Sequence, residues 1–381
     1  MSQSMNLNES AKEAAPQGNR PLKEQLKLLF GALIMPLFFF VAMPGIYAAA
    51  FHSPAPHHMR VDVIGSDTQT SDLATGLSVK LGDSFDVAVS ADVDAALLRL
   101  DTMQTRGAYD PSTGTLYVAS AGNLAATNAV ETVFKQVAEA ADQDIVIEDV
   151  APLPAADRLG TALMFMGLGA IVAGFLTTTV LNVAFPGLRI RDELGVLAIV
   201  SAVAAVVPMF IAYAVYGAFS GHIVGVALAL AASCFVTGVF HGGGLRLIGP
   251  AMILVTVFLT IMLGIPASGA AIGIDMIPRF FSFLHPLLST PASLESLKRI
   301  LYFDGAGIGT NVVTLAMWAL LGLALYGISL LMAHKEKSSP FSLDNDTTVS
   351  SGSPRNHETD FSSDALDALD ENANPLTGAR S

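Results

Sequence analysis

The stretch "HGGGLR" (241–246) has the glycine content of a phosphate-cradling loop. A P-loop also needs a lysine directly after its last glycine, and no Gly-Lys dipeptide occurs in the chain. The run therefore reads as a tight turn between two helices. His52, His57 and His58 are zinc-type ligands, but prolines break their spacing and no cysteine lies near them. They read as solvated loop histidines, with no metal. The aspartates between 60 and 150 are spread over strand ends and turns, whereas acid–base or acyl-transfer chemistry needs residues converging on one pocket. No enzyme and no cofactor is expected.

Two further charged groups stand out. "FPGLRIRDELG" (185–195) places Arg189, Arg191, Asp192 and Glu193 behind Pro186 and Gly187, a compact charged knob. A knob of this kind suits docking of a partner protein; a plain basic turn beside a membrane has the same composition, and both readings stay open. "IPASGAAIGIDMIPRFFSFLHPLL" (265–288) contains Pro266, Pro278 and Pro286, with Asp275 and Arg279 four residues apart. On one helical turn that spacing makes an ion pair.

Both groups lie among long apolar runs. The 381 residues are 52% hydrophobic and 14% charged, against about 25% charged in soluble domains. Crossing a bilayer takes about 20 apolar residues. The runs 28–51, 161–185, 194–240, 247–274 and 309–333 contain no Asp, Glu, Lys or Arg. The third is long enough for two passes joined by a turn at 216–222. Six spans follow: 28–51, 161–184, 194–216, 223–240, 247–265 and 309–333. The fold class is an α-helical polytopic membrane protein with an inserted extracytoplasmic α/β domain. The first run is longer than a signal-peptide core and lies behind a hydrophilic stretch, so it is expected to be retained. Cys234, the single cysteine, reads as a small packing residue. "GLGAIVAG" (167–174) and the pair Gly221/Gly225 indicate close helix packing. Spans drawn this way hold no ionisable residue, which argues against a proton- or sodium-coupled carrier and for a lipid-like substrate.

Lys and Arg beside the spans set orientation. Arg20, Lys23 and Lys27, then Arg189 and Arg191, Arg246, and Lys335 and Lys337 fall on one side, which places both termini in the cytoplasm. Residues 52–158 then form an extracytoplasmic domain. Its strand and helix patterns run β-α-β-α-β-β-α-β, with strands at 61–65, 85–90 and 144–150 and a hairpin over 106–120. The net charge of −13 is concentrated in this domain and the C-terminal tail, which excludes nucleic acid as a partner. "RPLKEQLKLLF" (20–30) reads as a basic amphipathic helix along the membrane surface. The first 19 residues and the stretch from about 338 have the composition of disordered segments.

Pro266 and Pro278 break helices, and irregular backbone at membrane depth must be buried by protein or reached by water. Residues 265–288 therefore read as two short helices dipping into the outer leaflet, hinged at Pro278. Phe280, Phe281 and Phe283 would be a bulky plug, ended by His285 and Pro286. The arrangement resembles the membrane subunits of ABC type-2 exporters. Within that group it is similar to the phage infection protein (YhgE/Pip)-like branch, which carries an external domain between its first two spans. The local likeness is a Pro-x-Ser-Gly stretch at Pro266, Ser268 and Gly269. A Phe-Phe-x-x-Leu-x-Pro helix follows from Phe280, and then an ending at Lys298, Arg299 and Tyr302. The likeness covers roughly residues 20–335.

The resemblance implies an exporter half of six helices that works as a homo- or heterodimer with a separate cytoplasmic ABC ATPase. Residues 185–195 would be the ATPase-coupling loop, and 265–288 an external gate on a pathway for an amphiphilic or cell-envelope compound. The alternative is a non-transporting surface protein whose external domain binds a ligand, a wall component or a phage.

Overall fold

The computed structural model describes residues 21–215, 217 and 221–337. Both segments expected to be disordered lie outside the described residues.

A sheet unit occupies residues 59–149. Its elements are β1 (Met59–Ile64), α2 (Thr68–Leu81), β2 (Phe85–Ser90), α3 (Val93–Asp101), β3 (Gly107–Asp110), β4 (Thr115–Val118), α4 (Leu124–Ala140) and β5 (Val146–Asp149). This is the order read from the residue pattern. Each helix starts after a side chain that caps it: Asp67 accepts from the Thr70 amide at 2.6 Å, Asp92 from Ala95 at 2.8 Å and Asn123 from Ala126 at 3.0 Å. Such caps are worth about 1 kcal/mol each. The strand order is β2-β1-β3-β4-β5, with only the β3–β4 hairpin antiparallel. Alternating strand residues feed two cores. Val61, Val63 and Leu116 pack with Leu77 and Phe134 on the α2/α4 face, while Ile64 and Ala108 pack with Leu100 on the α3 face.

Among the described residues, five helices are long and apolar enough to cross a membrane: α1 (Leu22–Phe51), α5 (Ala162–Ala184), α6 (Ile190–Phe210, continued as a π-helical turn to Val215), α7 (Ile223–Ile248) and α12 (Gly309–Lys337). A sixth apolar helix, Ala251–Ala267, is shorter. It joins α8 (Ala251–Val257), a π-helical stretch (Phe258–Leu263) and α9 (Gly264–Ala267). α10 (Arg279–Leu284) and α11 (Ser289–Tyr302) precede α12.

Several expectations change. Residues 22–30 are not a separate surface helix: no helix breaker separates Lys27 from the apolar run, so α1 is continuous for 30 residues. Gly221 lies outside α7 with φ +85°, so it does not form a helix-packing pair with Gly225. The HGGG run is not a turn. His241 to Gly244 are buried inside α7, and the reversal falls at Gly249 (φ +61°) and Pro250 instead. The glycines serve packing. A β-carbon at Gly242 would overlap the Tyr326 hydroxyl, and one at Gly243 would sit 2.5 Å from the Gly322 carbonyl of α12. The same logic joins α5 to α7, where a β-carbon at Gly174 would overlap the Cys234 carbonyl oxygen. Small residues let backbones approach in apolar surroundings, where dispersion rather than water expulsion drives association.

Chain direction gives these helices two ends. The end of α1, the starts of α5, α7 and α12, and α10 and α11 gather beside the sheet unit. Helix 251–267 also ends there. The 185–189 link and the Gly249–Pro250 turn lie at the sheet-distal end.

Candidate functional site

At the sheet-distal end the charged link leads into a buried carboxylate. Arg189 is the exposed N-cap of α6, Arg191 is exposed, and Asp192 is half-buried with Arg191 beside it at 3.7 Å. Glu193 is not part of an exposed knob; it is 1% exposed. One turn of helix explains the split, since Glu193 points to the opposite side of α6 from Arg191. Its Oε2 accepts from Arg246 Nε at 3.0 Å and Nη2 at 2.5 Å, and its Oε1 accepts from the Tyr326 hydroxyl at 2.9 Å and Asn182 Nδ2 at 3.3 Å. One carboxylate thereby ties α5, α6, α7 and α12. Arg246 Nη2 also donates to the Leu188 carbonyl at 2.7 Å, so the link itself is bound to the cluster. A buried pair is tolerated when all remaining donors and acceptors are filled, as they are around this carboxylate.

Deeper in α7, His241 bonds the Thr179 hydroxyl at 2.9 Å through Nε2 and the Thr256 hydroxyl at 2.7 Å through Nδ1. It joins α5, α7 and α8. The apolar helices Ile190–Ala214 and Ile223–Ile248 do contain ionisable residues, Glu193, His241 and Arg246, which lie just beyond the spans drawn at 194–216 and 223–240. Trimming the apolar runs at 194 and 240 concealed them. The available signal was the Gly242–Gly244 triplet, which marks where bulky or polar partners approach α7.

At the opposite end, residues 268–288 form a bridge between the helix ends and the sheet unit. Pro266 and Ser268 are buried. Gly269 has φ +65°, and its carbonyl accepts from Asn123 Nδ2 at 3.1 Å. The His57 amide donates to the Asp275 carbonyl at 2.8 Å, and Met276 joins the sheet unit's own core. Asp275 and Arg279 do not pair with each other. Asp275 is the middle residue of a 3-10 turn (Ile274–Met276), Ile277 is extended and Pro278 precedes α10 as its N-cap, so the two never share a helical turn. Asp275 instead pairs with Arg106 Nε. Arg279 Nη2 meets His58 Nε2 at 2.5 Å, and His58 Nδ1 meets Asp86 at 3.0 Å. His58 therefore bridges Arg279 and Asp86 while its side chain stays partly exposed, at 41%.

The aromatic plug also resolves differently. Phe281 is buried with Ala50, Leu263 and Ile277, but Phe280 and Phe283 are exposed, because a six-residue helix can turn only one side inward. His285 bonds the Ala267 carbonyl and Glu295 Oε2, each at 2.7 Å, and the Pro286 carbonyl accepts from Thr314 at 3.0 Å. Glu295 also pairs with Arg299, four residues on, and Arg299 Nη1 donates to the Thr102 and Ala306 carbonyls. The Glu295 carboxyl is held down at about 2: its burial alone would raise it, but His285 and Arg299 outweigh that. The Lys298 ammonium donates to the Gly122 carbonyl at 2.5 Å, and burial pushes it down to about 8. Residue spacing in "SLESLKRILY" carried the α11 signal, with Leu294, Leu297 and Leu301 on one stripe and Glu295/Arg299 beside it.

Comparisons with protein-family models, with curated proteins and with solved structures return no match to this chain.

Proposed function

We propose that the chain is a permease-like membrane subunit of an ABC type-2 exporter, moving an amphiphilic or cell-envelope compound. In this reading helix 251–267 is a sixth crossing. Its 17 residues rise about 25 Å, at the short limit for a span. Both termini and the 185–192 link are cytoplasmic and the sheet unit external. Lys23, Lys27, Arg189, Arg191, Arg246, Lys335 and Lys337 are then all on the cytoplasmic side.

The observation that carries the proposal is Glu193. An exposed link ends directly on a carboxylate that holds four helices, and Arg246 fastens that carboxylate back to the link at Leu188. Force applied to Arg189 and Arg191 by a cytoplasmic ATPase would reach α5, α6, α7 and α12 together. The protein is expected to act as a homo- or heterodimer. The test is charge reversal of Arg189 and Arg191 together. Loss of both ATPase co-purification and efflux, with normal membrane insertion, supports the reading; unchanged efflux sinks it.

A second reading has its own observation. α2 and α3 pack on opposite faces of the sheet, so the end of β1 is a topological switch point, where α/β sheets bind ligands. A crevice of about 600 Å³ opens there, lined by Gly65, Asp67, Thr70, Asp92 and Ser112. A surface receptor for a ligand, wall component or phage would use it. Deletion of 60–150 would then abolish function while the Arg189/Arg191 reversal is silent.

A further inference from the structure

We propose that the cavity between the sheet unit and the bridge is a binding site for a phosphate-type anionic group, held by the Lys298 ammonium and the Arg106 guanidinium. The cavity is about 230 Å³ and is lined by Arg106, Asn123, Gly269, Glu295, Lys298 and Arg299, among others. That volume exceeds what a phosphate needs and matches a small headgroup.

Its charge is unbalanced. Glu295 is the one carboxylate lining it among the described residues, and both its oxygens are taken by His285 and Arg299. Among the described residues Lys298 has no carboxylate within ion-pair distance and a single acceptor, the Gly122 carbonyl. Two of its three N–H donors have no protein acceptor among the described residues, and Lys298 lines this cavity. Arg106 uses Nε on Asp275, and its Nη groups have no hydrogen-bond partner among the described residues. Arg106 is one of the charges acting on Lys298, so the two cations share one field. Such a surplus of donors and positive charge, half-enclosed, is what an oxyanion satisfies.

The place of Arg106 extends the site. A second cavity of about 370 Å³, toward Arg60 and Arg279, shares Met103, Arg106 and Ile274 with the first, so Arg106 lines both. An anion that competes with Asp275 for Arg106 would act on both cavities. A free phosphate and the headgroup of an anionic lipid present the same chemistry. Binding requires no transport and no ATPase, so this inference and the exporter reading stand or fall separately.

The test uses the full chain in dodecyl maltoside micelles, which are neutral and phosphate-free. Trp318 is the only tryptophan and bonds the Leu287 carbonyl beside the bridge at 2.9 Å, so its fluorescence reports on this region. The probes are inorganic phosphate, dihexanoyl phosphatidylglycerol and, as a control, dihexanoyl phosphatidylcholine. A saturable response to either anion, at least ten-fold weaker in Lys298→Met and retained in Lys298→Arg, is the expected result. A response to phosphate alone assigns the site to a free anion, and one to phosphatidylglycerol alone to a lipid headgroup. No saturable response to either anion in the wild-type chain overturns the proposal, whatever the fold of the variants. So does a response that Lys298→Met leaves unchanged.

Discussion

Arg106 and Asp275 stand 169 residues apart in sequence and form an ion pair that joins the sheet unit to the bridge. Both are mostly shielded, at 16% and 24% side-chain exposure, so removing either one leaves the other charge poorly solvated. The stability losses of the single variants Arg106→Gln and Asp275→Asn are expected to sum to more than the loss of the double variant. A double-mutant cycle measures this. Strict additivity would mean that the pair contributes no coupling.

Glu193 gives a sharper stability prediction. Glu193→Ala strands Arg246 and removes the acceptor for Tyr326 and Asn182. The expected cost is about 3–5 kcal/mol, the range for breaking a buried pair on one side. Arg191→Ala, whose side chain is 88% exposed, should be within about 0.5 kcal/mol of wild type. Thermal unfolding in detergent, compared between the two, decides whether the split along α6 is real.

The helix contact between α5 and α7 is tested by two glycines five residues apart. Gly174→Ala drives a β-carbon into the Cys234 carbonyl, whereas Gly169 has nothing within 4 Å of where its β-carbon would be. Gly174→Ala should destabilise by about 1–3 kcal/mol through overpacking. Gly169→Ala should be neutral or stabilise by up to about 1 kcal/mol, from helix propensity. Equal effects at the two sites would mean that α5 and α7 do not cross there.

Acid titration reports on Glu295. Its carboxyl is depressed from the ordinary 4.5 to about 2. The folded state therefore binds this proton less readily than the unfolded state. The stabilisation is complete above about pH 4.5 and is lost as pH falls toward 2. It amounts to about 3 kcal/mol. Stability measured between pH 6 and pH 3 should fall in the wild type and fall less in Glu295→Gln. Parallel curves would show that the carboxylate is not the group responsible.

Lys298 has the opposite consequence. Its ammonium is lowered from 10.5 to about 8 by burial, with Arg106 and Arg299 adding to the fall and Glu295 opposing it. Here the unfolded state binds the proton more readily, so the penalty is complete below about pH 8 and vanishes as pH rises toward 10.5. Lys298→Met should be at least as stable as wild type at pH 7. Anion binding at the bridge should weaken as pH rises through 8 in the wild type. In Lys298→Arg it should be level across that window, because arginine stays protonated.

Local pattern alone was enough for the elements of the sheet unit. The strand–helix order of 59–149 follows from alternation and capping residues, because Asp67, Asp92 and Asn123 act on amides three positions away. The long apolar helices follow from length and the absence of charge, which bilayer thickness makes decisive. Gly174 was legible as a packing residue for the same reason: a helix can be brought close only where side chains are small.

What the sequence could not show is which distant groups meet. Asp275 and Arg279 have ideal helical spacing, yet an extended Ile277 and a proline cap separate them; Asp275 finds its partner in the sheet unit and Arg279 in His58, directly before β1. Glu193 has the same neighbours as the exposed Arg191, and only the packing of α5, α7 and α12 around it turns a surface charge into a buried one. Elements depend on interactions a few residues apart. Sites depend on contacts across as many as 221 positions, which chain topology sets and no local pattern encodes.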